Sequence, residues 1–140
     1  MDFWQLLKFI LFGLTPLSGE AAVGVKDMER AIAWYCEVFD LVARRDGEKE
    51  VTLGYPLGRY GSIAPLITLI QIPTVAFEAA VEHHPVLFTK NLGKARGDLI
   101  FKRVHPGPIQ EDSGGNHFFA FQDIEGNRIE VCLEPGKKFS

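Results

Sequence analysis

The chain lacks most of the features that announce a function class. It has only two cysteines, Cys36 and Cys132, in 140 residues. They stand far apart and form no CxxC pair. That argues against a disulfide scaffold or a cysteine-rich zinc module and predicts reduced thiols in a cytoplasmic protein. There is no excess of positive charge: 15 Lys and Arg face 18 Asp and Glu, a formal net charge of -3. The cations are scattered among acids, so no nucleic-acid partner is expected. No phosphate-binding glycine loop, dinucleotide fingerprint or nucleophile elbow is found. The apolar fraction of 46% is that of an ordinary globular domain, which argues against disorder.

One apolar stretch needs separate treatment. Residues 3–17 are interrupted only by Gln5 and Lys8. The stretch is shorter than the roughly 20 residues that a membrane-spanning helix needs. It begins at Asp2 rather than with the cations of a signal peptide, and Ser18-Gly19-Glu20 is a poor cleavage site. Phe3, Leu7, Ile10, Leu11 and Leu14 share one helical face, which Leu6, Phe9 and Phe12 widen. Residues 1–18 therefore read as an apolar, helical extension packed on the domain or on a partner subunit, in preference to a membrane-surface anchor. Residues 19–135 form the domain and 136–140 a tail.

Hydrophobic periodicity then sets out the domain. Residues 20–26 alternate as a strand, and Asp27 suits a helix N-cap. Residues 28–39 are helical, with Ile32, Tyr35, Cys36 and Phe39 inward. Residues 41–45 and 50–55 form a hairpin about Asp46-Gly47. Residues 64–72 are a continuous apolar run, predicting a central strand buried on both faces and closed by Pro73. After a connector over 74–83 the order recurs. It comprises a strand at 86–90, a helix capped by Asn91 and reaching about Val104, a short strand at Ile109, and a hairpin of 117–122 with 128–133. The fold class is α+β. Duplicated βαβββ modules form a curved mixed sheet around a cleft, with helices on the outer faces.

Two segments make this pattern more specific. One is Val25-Lys26-Asp27-Met28-Glu29-Arg30-Ala31 running into Trp34-Tyr35. The other is Asp123-Ile124-Glu125-Gly126-Asn127-Arg128-Ile129-Glu130. With the duplicated order they resemble the vicinal oxygen chelate superfamily, which includes glyoxalase I, extradiol dioxygenases and bleomycin-resistance proteins. The resemblance covers about 19–135. It implies a cleft that holds a small molecule, often a metal, and subunits that commonly pair.

Alternation on the last strand sets Ile129, Val131 and Leu133 against Arg128, Glu130 and Cys132. Glu130 is thereby placed opposite the packed face, and it matches the resemblance's final metal ligand. The competing reading is an ion pair with Arg128 or Lys102. The resemblance also implies a ligand at His84, with His83 as the fallback, and one at Glu20, where metal-binding members often carry His. A carboxylate there favours harder cations. A fourth ligand is missing: Thr68 occupies its place, and the register of Gln71 is wrong. Glu20, His84 and Glu130 are the candidate metal ligands for Mn, Fe, Ni or Zn, and Glu130 and Glu20 the candidate catalytic carboxylates. Tyr55, Arg59, Tyr60, Phe119 and Phe121 are candidates to line the cleft and bind substrate, with His117 near a turn beside them.

The leading expectation is a metal-dependent lyase, isomerase or dioxygenase acting on a substrate with adjacent oxygens. The alternative is a metal-free protein that sequesters a small aromatic or cationic molecule. A third reading is an accessory protein with a vestigial cleft. The expected assembly is a homodimer, with no membrane association.

Overall fold

The computed structural model describes residues 15–58, 60–73 and 85–139. Within them the order is β1 (Leu17–Ser18), β2 (Ala21–Val25), α1 (Met28–Phe39), β3 (Val42–Arg45), β4 (Glu50–Leu57) and β5 (Ser62–Gln71). Then follow β6 (Val86–Thr89), α2 (Leu92–Phe101), β7 (Gln110–Glu111), β8 (His117–Gln122) and β9 (Arg128–Leu133). The run from β2 to β5 and the run from β6 to β9 each follow strand, helix and three strands, as the periodicity predicts. Residues 1–14, most of the apolar extension, and the 74–83 connector lie outside the described residues, and Leu17–Ser18 at the extension's end form β1.

Each module makes a mixed sheet of the same topology. The first runs β2-β5-β4-β3 and the second β1-β6-β9-β8-β7. In both, the opening strand pairs parallel with the closing one, β2 with β5 and β6 with β9. β1 ties the modules together by pairing antiparallel with β6, Leu17 opposite Thr89. The chain then crosses at Gly19 and enters the other sheet. Gly19 takes a positive φ of 107 and lies over β6, where a β-carbon would approach the Phe88 ring at 3.5 Å. Only glycine makes that crossing without strain.

The helices form where their caps dictate. The Asp27 carboxylate accepts from the Arg30 amide at 3.2 Å, and the Asn91 side chain accepts from the Lys94 amide at 3.0 Å. α2 stops at Phe101 rather than near Val104. The amides of Arg103 and Val104 turn back onto the carbonyls of Ile100 and Leu99, at 3.0 and 2.9 Å. Arg103 sits left-handed at φ 66, so the helix closes in a Schellman turn without the usual glycine.

The inner faces of both sheets and both helices share one core. Val38 and Phe39 of α1, Leu99 of α2, Tyr55 of the first sheet and Phe119 and Val131 of the second all line one small pocket, together with Thr15 and Asp98. β5 is central in its sheet but is not buried on both faces: Ile70 is 39% exposed. Among the described residues no helix packs on the face of either sheet away from the core.

Candidate functional site

The turn between β8 and β9 is fully engaged in holding the modules together. Asp123 is buried, 7% exposed. One of its oxygens accepts from the amides of Glu125 and Asn127, at 2.8 and 2.9 Å. The other accepts from the Asn127 side chain at 2.9 Å and from the Tyr35 hydroxyl at 2.6 Å. Asn127 also donates to the Gly24 carbonyl at 3.1 Å. The two oxygens of Glu125 accept from the amides of Lys26 and Asp27, each at 2.8 Å, at the N-terminal end of α1. A carboxylate there meets unpaired amides and the positive end of the helix dipole. Burial first, and then the Asp123 charge, push the Tyr35 phenol well above its ordinary pKa. These residues join the start of the first module to the end of the second and are not free for chemistry.

Glu130, three residues beyond Asn127, is placed differently. Ile129 and Val131 beside it are buried in the core, so Glu130 points to the open face of the second sheet, as alternation predicts. Its cross-strand neighbours there are Val86 and Ala120. The next row along that face is Phe88, Cys132 and Phe118. Val86, Phe88, Phe118 and Cys132 are all half-buried. The result is a carboxylate on an apolar, aromatic floor. Its Oε1 lies 3.3 Å from the Arg128 guanidinium, with the two side chains 25% and 43% exposed. Lys102 pairs instead with Asp40 at 3.6 Å.

The remaining candidates divide. Glu20 immediately precedes β2 and is exposed. It follows Gly19, which lies over the Val86–Phe88 strand. His84, His83 and Arg59 lie outside the described residues. Pro85, next to His84 in the chain, accepts from the Glu130 amide at 2.9 Å. On the first sheet's open face Ala22, Thr68 and Thr52 form one row, which contains no carboxylate or imidazole. Gln71 donates to the Lys26 carbonyl at 3.3 Å. Among the described residues no three His, Cys, Asp or Glu side chains converge as metal donors, so the described donors alone do not make a metal site.

Three expected cleft residues lie elsewhere. Phe119 and Phe121 are core residues, 0% and 3% exposed. Phe121 packs on Trp34 and Phe39 of α1, with ring centroids 6.4 and 5.7 Å away. Pairing explains the shift: Ala120 lies opposite Glu130, so Phe118, two residues from Ala120, shares its face and the odd-numbered phenylalanines do not. Tyr55 also turns inward, and its hydroxyl accepts from the Leu17 amide at 2.9 Å. Tyr60 is 96% exposed on the loop before β5. His117 stacks on Phe139, with centroids 4.5 Å apart, and stands 3.7 Å from Glu111. Phe88 and Phe118 are the aromatics that sequence reasoning missed, and carrying Glu130's alternation across the hairpin finds them.

Neither cysteine is set up as a nucleophile. Both thiols are half-buried and free, and burial raises both pKa values, with Glu130 adding to the rise at Cys132. No helix among the described residues is long and apolar enough to cross a membrane.

Comparison with known proteins fits this architecture. A protein from Sphaerobacter thermophilus, described as a member of the glyoxalase/bleomycin resistance protein/dioxygenase superfamily, superposes with a TM-score of 0.58. It is 20% identical, and the match covers 82% of this chain and 94% of that one. A bleomycin resistance determinant encoded on the transposon Tn5 gives a TM-score of 0.64 at 10% identity, over 84% and 98% of the two chains. A lactoylglutathione lyase from Agrobacterium tumefaciens gives 0.57 at 14% identity, over 84% and 92%. At such identities the likeness is one of fold. A search of curated proteins returned no match. The family model of the Glyoxalase/Bleomycin resistance protein/Dioxygenase superfamily matches residues 18–131, and the chain belongs to that superfamily.

Proposed function

We propose that the chain binds a small aromatic or cationic molecule on the open face of its second sheet, without needing a metal. One observation carries this reading: Glu130 stands among Val86, Phe88, Phe118 and Cys132, a half-buried apolar floor with one carboxylate. A flat cation suits that floor, because its ring stacks on the phenylalanines while its charge meets Glu130 in place of Arg128. The open face of one sheet is half a cleft, and a second copy of the chain supplies the other wall, so the working form is a cytoplasmic homodimer.

The test is a titration with ethidium, a planar aromatic cation, followed by melting temperature. A saturable rise that Glu130→Ala abolishes supports the reading, and no rise removes it. Sedimentation showing a stable monomer at micromolar concentration removes the shared cleft.

A metal-dependent lyase, isomerase or dioxygenase is the second reading. It is favoured by the bond from the Glu130 amide to Pro85, which brings the chain position next to His84 alongside Glu130. The ligands would be Glu20, His84 and Glu130. Under this reading Mn²⁺, Ni²⁺ or Zn²⁺ raises the melting temperature of chelator-treated protein, and His84→Ala and Glu130→Ala each abolish the rise.

A further inference from the structure

A second cleft, of about 470 Å³, opens at the edge of the second sheet beside Glu130's face. β7 pairs with β8 only at His117 and Phe118, and the Gly107 amide closes one more bond to Ala120 at 2.8 Å. Beyond that point the described residues leave the edge of β8 uncovered, and this edge is the floor of the cleft. Trp34 of α1 lines the cleft. Arg103 and His105, on the segment that leaves α2, and Arg128 of β9 line it too.

Cationic and donor groups predominate in this cleft. Arg103, His105 and Arg128 bring cationic or donor groups. The one acid in the lining, Asp123, has both oxygens engaged by Tyr35, Glu125 and Asn127. Among the described residues the side chains of Arg103 and His105 have no hydrogen-bond or ion-pair partner. The wall that carries them is held in place: Arg96 donates from Nε to the Gly107 carbonyl at 2.8 Å and from Nη2 to the Pro106 carbonyl at 3.4 Å. Arg103 occupies the left-handed position where a Schellman turn favours glycine. The helix end would be more stable with glycine there, so local folding does not account for an arginine.

We propose that this cleft binds a small planar organic anion, an aromatic carboxylate in class, with its acid group between Arg103 and Arg128 and its ring against Trp34. The guanidinium fork pairs with a carboxylate through two parallel bonds. This site is separate from the apolar floor around Glu130 and has the opposite charge preference. The two meet at Ala120 and at Arg128, which an incoming anion draws away from Glu130.

Benzoate is the probe, with inorganic phosphate as its comparison, and Trp34 fluorescence in a Trp4→Phe background is the readout. Benzoate should give a saturable change in the millimolar range. Arg103→Gly and Arg128→Ala should each weaken it about tenfold, while Glu130→Ala leaves it intact or tightens it. Arg103→Gly should also raise the melting temperature, which separates loss of binding from loss of fold. The proposal is overturned if benzoate gives no saturable change, if its effect survives both arginine substitutions, or if Glu130→Ala weakens it. It is overturned too if phosphate binds as well as benzoate does.

Discussion

Asp123 and Glu130 lie seven positions apart in one continuous segment, and the structure uses them in opposite ways. Asp123 is buried, with four donors on its two oxygens. Glu130 is part-exposed, with one guanidinium at 3.3 Å. The first is what the fold requires to join its two modules. The second is a carboxylate that the fold does not require, left on an apolar face where it costs something to keep. The residues that best identify the family are therefore mostly structural, and the carboxylate proposed to meet a ligand lies at their edge.

Breaking the structural side should have the largest effect. Asp123→Ala strips partners from the Tyr35 hydroxyl, two backbone amides and the Asn127 side chain at once. The expected loss is about 3 kcal/mol or more, because buried donors are left without acceptors. For a domain of this size that lowers the melting temperature by roughly 10 °C. A fall of only a degree or two in calorimetry would show that the turn does not hold the modules together.

Tyr35→Phe removes one bond from the same hub and should cost about 1–2 kcal/mol. It also carries a pH signature. Burial and the Asp123 charge raise the phenol's pKa in the folded chain, so folding favours the neutral form. The stability this contributes is fully present below the unfolded tyrosine pKa of about 10 and is lost as pH rises through the higher folded value. Wild-type protein should therefore weaken in urea above about pH 10 more steeply than Tyr35→Phe does. Equal slopes would mean that another group controls the alkaline limb.

These outcomes bear on what the sequence made legible. The duplicated order was readable because each element carries its own period: the alternation of 21–25, the capped helix at 28–39 and the hairpin ending at Leu133. Glu130's orientation was readable for the same reason. The work of Asp123, Glu125 and Asn127 was not, because their partners Tyr35, Asp27 and Gly24 are 88, 98 and 103 positions away. Pairing across that distance leaves no local pattern. The inward placement of Phe119 and Phe121 is illegible for a different reason. Aromatic residues near a carboxylate suggest a ligand site, yet the hairpin register puts them against α1 and sets Phe88 and Phe118 beside Glu130. The placement of Arg103 and His105 leaves no sequence signal, because α2 ends in a Schellman turn without glycine, earlier than its apolar pattern suggests.

Glu125 lies between the two extremes. It is bound at both oxygens, but at the surface and to backbone amides alone. Glu125→Ala should cost about 1 kcal/mol, comparable to the loss of a helix cap. Glu125→Gln, which keeps one acceptor, should cost less. If Glu125→Ala proves as damaging as Asp123→Ala, the two residues act as one cooperative unit, and a double substitution would show it as non-additivity.

The smallest stability effect should belong to Glu130. Its ion pair with Arg128 is part-exposed and lies two positions along the same strand, a geometry in which a pair contributes at most about 0.5 kcal/mol after screening. Glu130→Ala removes that pair and also removes a charge from beside Phe88, Phe118 and Cys132, which partly offsets the loss. The net change in unfolding free energy should therefore fall within about 0.5 kcal/mol of zero, while ethidium binding on this face disappears. Glu130→Gln should behave likewise, because it keeps the shape and discards the charge. Near-neutral stability with binding abolished is the behaviour of a residue kept for a ligand. A loss of several kcal/mol would instead place Glu130 with Asp123, among the residues that the fold itself requires.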